Sequence, residues 1–171
     1  DQQGAPLERI EITNISLRDT PVDPFAAATV EELAAHRVLL DTTLGSIELA
    51  LAPELARETV RAFLQWATAG VYDGVKIHRV VPNFVVQTGA TAFRTGPLTQ
   101  KQQRLMRSLP PEFTDTPNLP GTVSIARGED PGSGSTSFFI CVGNCRSLDT
   151  RAVPQRATSS GARLRSTMVS A

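Results

Sequence analysis

The apolar residues of this sequence fall into short runs punctuated by turn residues, and only one stretch carries the period of a long helix. That stretch opens at Pro53. Its Ala56, Val60, Phe63, Leu64 and Ala67 lie on one stripe, ahead of Gly70 in the position of a helix C-terminal stop. Before it, residues 38–40 and the alternating Ile47, Leu49 and Leu51 predict a hairpin turning at Thr43-Leu44-Gly45. After it, residues 75–81 and 84–87 predict two strands joined tightly through Pro82-Asn83. Thr99 with Gln102 predicts a capped short helix reaching about Arg107, and residues 110–120 a loop. Residues 122–126 and 138–142 read as two core strands linked by a Gly/Ser-rich segment over 128–135. Twelve Gly and twelve Pro supply the turns. Many short strands around one long helix predict a mainly β fold closed into a barrel, within one domain.

The two ends read differently. Ile10 and Ile12 alternate out of phase with Ile15 and Leu17, which predicts one strand bulged near Thr13-Asn14. Residues 19–24 form a Pro-containing linker, and 29–36 a short helix opened by Thr29 with acids in its first turn. Residues 1–36 are therefore an N-terminal extension, residues 37–151 the domain, and residues 152–171 an irregular tail rich in Arg, Ser and Ala. Residues 151–171 carry Arg151, Arg156, Arg163 and Arg165 without any acid, so residues 1–150 are net negative although 17 basic residues balance 17 acidic ones overall. A shifted reading frame in an arginine-rich gene would produce such a tail. Balanced charge argues against nucleic acid as a partner, and the lack of any run near the roughly 18 apolar residues that span a bilayer argues against membrane insertion.

Cys141 and Cys145 lie in or beside a predicted strand. Four residues of extended chain span about 13 Å, whereas a disulfide needs Cα atoms within about 7 Å. Free thiols are expected, with Cys141 in the core. A turn at Gly143-Asn144 is the one arrangement that would bring them together.

The run Ile77-His78-Arg79-Val80-Val81-Pro82-Asn83-Phe84-Val85-Val86-Gln87 resembles the signature of cyclophilins, and so does Gly121-Thr122-Val123-Ser124-Ile125-Ala126-Arg127 followed by Thr136-Ser137-Phe138-Phe139-Ile140. The preceding Ala69-Gly70-Val71-Tyr72-Asp73-Gly74 and the later Leu148-Asp149 fit the same order. The resemblance covers about residues 37–151. It implies an eight-stranded antiparallel barrel with two covering helices, a peptidyl-prolyl cis-trans isomerase activity on X-Pro bonds, proline-containing polypeptides as partners, and neither cofactor nor metal. A monomer is expected. It also implies the site: Arg79, Gln87 and Phe84 as catalytic residues, and Val85, Ala126, Arg127, Ser137, Phe139 and Leu148 as substrate-binding residues. The style of the motifs is bacterial, with periplasm and cytoplasm both open.

Several positions depart from the family pattern. Ser137 stands where many members have Gln, Thr88 and Ala90 replace the residues usual after Gln87, Ser147 sits where an aromatic is common, and Ala152 where a His is frequent. The second helix and final strand of such a barrel are expected to be missing or replaced, because residues 152–171 show neither period. Residues 6–17 in turn resemble that final strand and would fit the edge it leaves vacant. A barrel left incomplete is consistent with a second reading, a proline-peptide binding module without turnover.

The chemistry can be checked against these residues. Rotation about a prolyl bond breaks amide resonance over a barrier of about 20 kcal/mol. The twisted nitrogen gains a basic lone pair, so a fixed cation with N–H donors aimed there binds the transition state better than either planar isomer. Arg79 has that fork of donors and a charge that never titrates. No proton transfer is needed, so His78 is read as structural and a Cys141–His78 nucleophile pair lacks its orienting third group. His36 has no catalytic partner in the sequence. The Gly132–Thr136 stretch lacks the Lys of a phosphate loop. Phe138 and Phe139 are neighbours on a strand, so one should face the core and the other a pocket.

Overall fold

Two of the three α-helices among the described residues begin on local capping boxes. The computed structural model describes residues 23–149 and the strand 159–164, and the expected strand over 7–17 lies outside the described residues. Helix α1 (Val30–Ala35) opens on a reciprocal cap in which the Thr29 hydroxyl accepts from the Glu32 amide and the Glu32 carboxylate accepts from the Thr29 amide. Its Leu33 is fully buried and joins Phe25 in the main core, so this part of the expected extension packs with the domain. Helix α2 (Arg57–Thr68) begins later than Pro53, because residues 52–55 form a turn closed by the Leu55 amide on the Ala52 carbonyl. It ends at Gly70, whose φ of +69° is the left-handed geometry that glycine adopts without strain. Its buried face is wider than the sequence stripe, since it includes Trp66, whose indole N–H donates to the Leu105 carbonyl at 2.9 Å. Helix α3 (Gln100–Leu105) carries the expected Thr99–Gln102 box.

Seven strands form one antiparallel sheet: β1 (Arg37–Thr42), β2 (Gly45–Leu51), β3 (Arg79–Val81), β4 (Val85–Thr88), β5 (Thr122–Ile125), β6 (Phe138–Cys141) and β7 (Ser159–Leu164), in the order β1-β2-β7-β5-β6-β4-β3. Three features correct the sequence reading. The strand expected over 75–81 is paired only over Arg79–Val81, because Gly89, at φ +83°, turns the chain away just past β4; Val75 keeps a single bridge to Arg94. The stretch expected to be irregular contains β7, which fills the space between β2 and β5. A strand flanked on both sides is held by two backbone ladders, so a weak side-chain alternation does not prevent it. Its register with β5 skips Gly161 between Val123 and Ser124, the geometry of a bulge. Lastly, β1 and β3 stand at the two ends of the order, and no pairing joins them among the described residues, so the expected closure into an eight-stranded barrel is not seen there.

Alternate residues along the strands serve two separate apolar clusters. Val123, Ile125, Phe138 and Ile140 point to the main core with Leu49, Val60 and Phe63. Phe139 and Cys141 point to the opposite face with Val85. Phe63 meets Phe138 edge-on at 5.3 Å between ring centroids, which docks α2 on the core face.

Candidate active site

On the face away from the main core, β3, β4 and β6 lie side by side, so directly opposed residues form rows. Arg79 opposes Gln87, and Gln87 opposes Phe139; the next row is Val81, Val85 and Cys141. The turn at Pro82-Asn83 sets these rows: the Phe84 amide donates to the Val81 carbonyl at 3.1 Å, and Asn83 takes φ +56°, a conformation that Asn tolerates better than most residues.

Val85, Phe139, Cys141 and Cys145 are buried together, with Val81, Phe84, Ala126 and Leu148 packed partly exposed against them. Five of the expected site residues, Phe84, Val85, Ala126, Phe139 and Leu148, therefore meet in one apolar patch. The exposed Arg79 stands beside it and donates from Nη1 to Gln87 Oε1 at 3.4 Å. Gln87 Nε2 donates in turn to Ser137 Oγ at 3.3 Å, and the Ser137 hydroxyl donates to the Thr88 carbonyl at 3.3 Å. The relay runs in one direction. Ser137 spends its single proton on a backbone oxygen, so it can only accept from the amide, and that turns the amide oxygen of Gln87 towards Arg79. Arg127 is partly drawn off: its guanidinium donates to the Gly128 and Glu129 carbonyls and lies 5.9 Å from the Phe113 ring centre. Partial desolvation holds its pKa below the ordinary Arg value.

A buried polar network fixes the far wall. Asn118 donates from its amide and from Nδ2 to Asp149 Oδ1 at 2.8 and 3.0 Å, while Ser124 donates to Asn118 Oδ1 at 2.8 Å. It ties the 3-10 turn Arg146–Leu148 to β5, and with it Leu148. Sequence reasoning did not find Asn118, whose partner lies 31 residues away with no local pattern to mark it.

The cysteines are placed differently from expectation. The chain turns straight after Cys141, and the Phe84 carbonyl accepts from the Val142 and Gly143 amides at 2.8 and 3.3 Å and from Cys145 Sγ at 3.0 Å. Gly143 is required there, since a Cβ would fall 1.8 Å from the Asn83 carbonyl oxygen. Both thiols are free, as expected, yet they share one pocket floor. Burial, and then the hydrogen bond with the Cys145 thiol, push the Cys141 thiol pKa well up. His78 stacks on Phe93 at 4.3 Å with its amide on the Gln87 carbonyl, a structural position.

A family model for cyclophilin type peptidyl-prolyl cis-trans isomerases matches residues 37–156. The chain belongs to the cyclophilin family. Peptidyl-prolyl cis-trans isomerase A of Dickeya dadantii is 35% identical over 142 residues, which make up 81% of this chain and 67% of that protein. A probable peptidyl-prolyl cis-trans isomerase of Brucella suis is 35% identical over 111 residues, 61% of this chain and 57% of its own length. A Cryptosporidium parvum cyclophilin solved in the presence of the dipeptide Ala-Pro superimposes with a TM-score of 0.63 at 18% identity, over 78% of this chain and 80% of that one. The matched segment of the cyclophilin domain contains the whole row Arg79, Gln87, Phe139 and every residue of the apolar patch beside it.

Proposed function

We propose that this chain catalyses cis-trans rotation of X-Pro peptide bonds in proline-containing polypeptides. The observation that carries the reading is the juxtaposition of one exposed guanidinium with an apolar patch across adjacent strands. In this reading Phe84, Val85, Phe139 and Leu148 hold the ring while the carbonyl side of the bond turns. Arg79 donates to the nitrogen as it becomes basic, so its stabilisation is greatest in the twisted state. Gln87 holds the guanidinium in place through the 3.4 Å contact, oriented by Ser137, and its amide can also reach substrate backbone. Ala126 and Arg127 line the groove where the peptide chain runs alongside β5, in the manner of an added strand. The Ala-Pro dipeptide used with the Cryptosporidium relative is a suitable small probe of the same patch.

The finer architecture follows from the free ends of the sheet. The barrel closes, in our reading, through a further strand between β1 and β3, which stand at the two ends of the order among the described residues.

The open strand order among the described residues favours one competing reading, a binding module that holds proline without turning it over. A protease-coupled assay on an X-Pro peptide decides between them. Arg79→Ala is expected to lower kcat/KM by about 100-fold, the cost typical of losing one preorganised donor at a developing charge, with a smaller loss of Ala-Pro peptide affinity. Binding without any enhancement of exchange in the parent protein, or an unchanged kcat/KM in the variant, overturns the isomerase reading.

A further inference from the structure

We propose that Cys141 and Cys145 form a reversible dithiol–disulfide modification site under the proline patch, taking a peroxide as its oxidant. The geometry is specific to the turn that follows β6. Cys141 pairs with Val85 across the sheet, and the Cys145 sulfur lies 3.0 Å from the carbonyl of Phe84, the residue preceding Val85. The two thiols belong to one buried cluster with Val85 and Phe139, near enough for the Cys145 thiol to help push the Cys141 pKa up. A Cys-x3-Cys spacing that would hold the sulfurs apart in extended chain is folded back here by the glycine at 143.

Access comes through the turn. Cys145 opens the 3-10 segment Arg146–Leu148, and its neighbours Asn144, Arg146 and Ser147 are all exposed, so local opening of one short turn uncovers the sulfur without disturbing the sheet. The Cys145 thiolate attacks the peroxide; an S–O bond forms, the O–O bond breaks, and the departing oxygen leaves as water after taking up a proton. The Cys141 sulfur then attacks the sulfenic sulfur of Cys145, forming S–S and breaking S–O, and a second water leaves. Two electrons pass from the sulfurs to the peroxide, and an external dithiol returns them. The raised Cys141 thiol makes the second step slow at neutral pH and faster as pH rises.

The consequence for the site is mechanical. Disulfide formation removes the S–H donor from the Phe84 carbonyl and pulls on the turn, where the Leu148 amide donates to the Cys145 carbonyl at 2.8 Å. Phe84 and Leu148 both border the patch, so oxidation loosens the grip on proline.

The test exposes the whole chain of residues 1–171 to hydrogen peroxide, alkylates it, and maps its peptides by mass. The expected product is a cross-linked Cys141–Cys145 peptide lighter by two hydrogen atoms and reverted by dithiothreitol. In parallel, Ala-Pro peptide affinity and isomerase rate should each fall several-fold and recover on reduction. Cys145→Ser, compared only with itself before and after peroxide, should show no change. Two alkylatable thiols surviving in treated wild type would overturn the site, and a cross-link that leaves affinity and rate unaltered would overturn its coupling to the patch. The effect on rate rests on the isomerase reading above, whereas the peptide map and the affinity do not. A protein with no turnover would therefore still report on the dithiol.

Discussion

Tyr72 shows how one partly buried group links desolvation to pH. Its ring lies 5.2 Å from Phe63 and 5.7 Å from Phe138, and its hydroxyl donates to the Thr136 carbonyl at 3.3 Å. Desolvation in this partly buried position raises its pKa well above the ordinary 10.0, because the phenolate would have to form with little water around it. The unfolded chain releases this proton near its ordinary value while the fold retains it. The contribution is thus whole below about pH 10 and declines as pH climbs beyond that. Cys141 acts in the same direction, starting from its ordinary value of 9.0. Urea midpoints measured across alkaline pH should be level up to about pH 9 and then fall, and Tyr72→Phe should make the fall shallower. An identical slope in the variant would show that Tyr72 is not the group responsible. At this scale the sequence was informative wherever chemistry is local. Arg79 was legible because it sits in a linked motif, and the opposite duties of Phe138 and Phe139 follow from strand pleating alone. The meeting of Cys141 with Cys145 was legible only as the alternative turn at Gly143-Asn144, because what selects that turn is the fit of its glycine against Asn83, sixty residues earlier in the chain.

Helix α2 has no capping side chain of its own at Ala56; instead, Glu112 reaches in from the 110–120 loop, and its carboxylate accepts from the Glu58 and Thr59 amides at 2.9 and 2.8 Å. A negative group on the first free amides satisfies both orphan donors and meets the positive end of the helix dipole. Glu112→Ala should cost about 1–2 kcal/mol, the value of a lost helix cap, read as a lower thermal midpoint. A midpoint within error of wild type would mean that solvent serves those amides equally well. Elements α1 and α3 were readable because each carries its cap within four residues. The start of α2 was misplaced towards Pro53 because its true cap lies 54 residues away. β7 escaped notice for a related reason: its place is defined by the ladders of β2 and β5, not by its own composition.

Across the whole molecule, the ordered sheet leaves β1 and β3 as its ends among the described residues, with Leu39 58% and Val80 61% exposed on them. Unpaired edges bearing apolar side chains invite pairing with other chains unless something covers them. If residues 7–17 provide the closing strand, removal of residues 1–22 should lower the thermal midpoint and promote concentration-dependent association, measurable by light scattering. A truncated protein that melts as before and stays monomeric would exclude that role.

The opposed duties of neighbouring residues on β6 also bear on how mutations here should be interpreted. Phe138 anchors the interior against α2, and Phe139, the very next residue, lines the outward patch. Sliding this strand by a single position would exchange the two rings and every partner along with them, although the chain's composition would be unchanged. The patch proposed to hold proline thus depends on alignment between strands, and damage to the interior of the sheet should be felt first as lost recognition outside it.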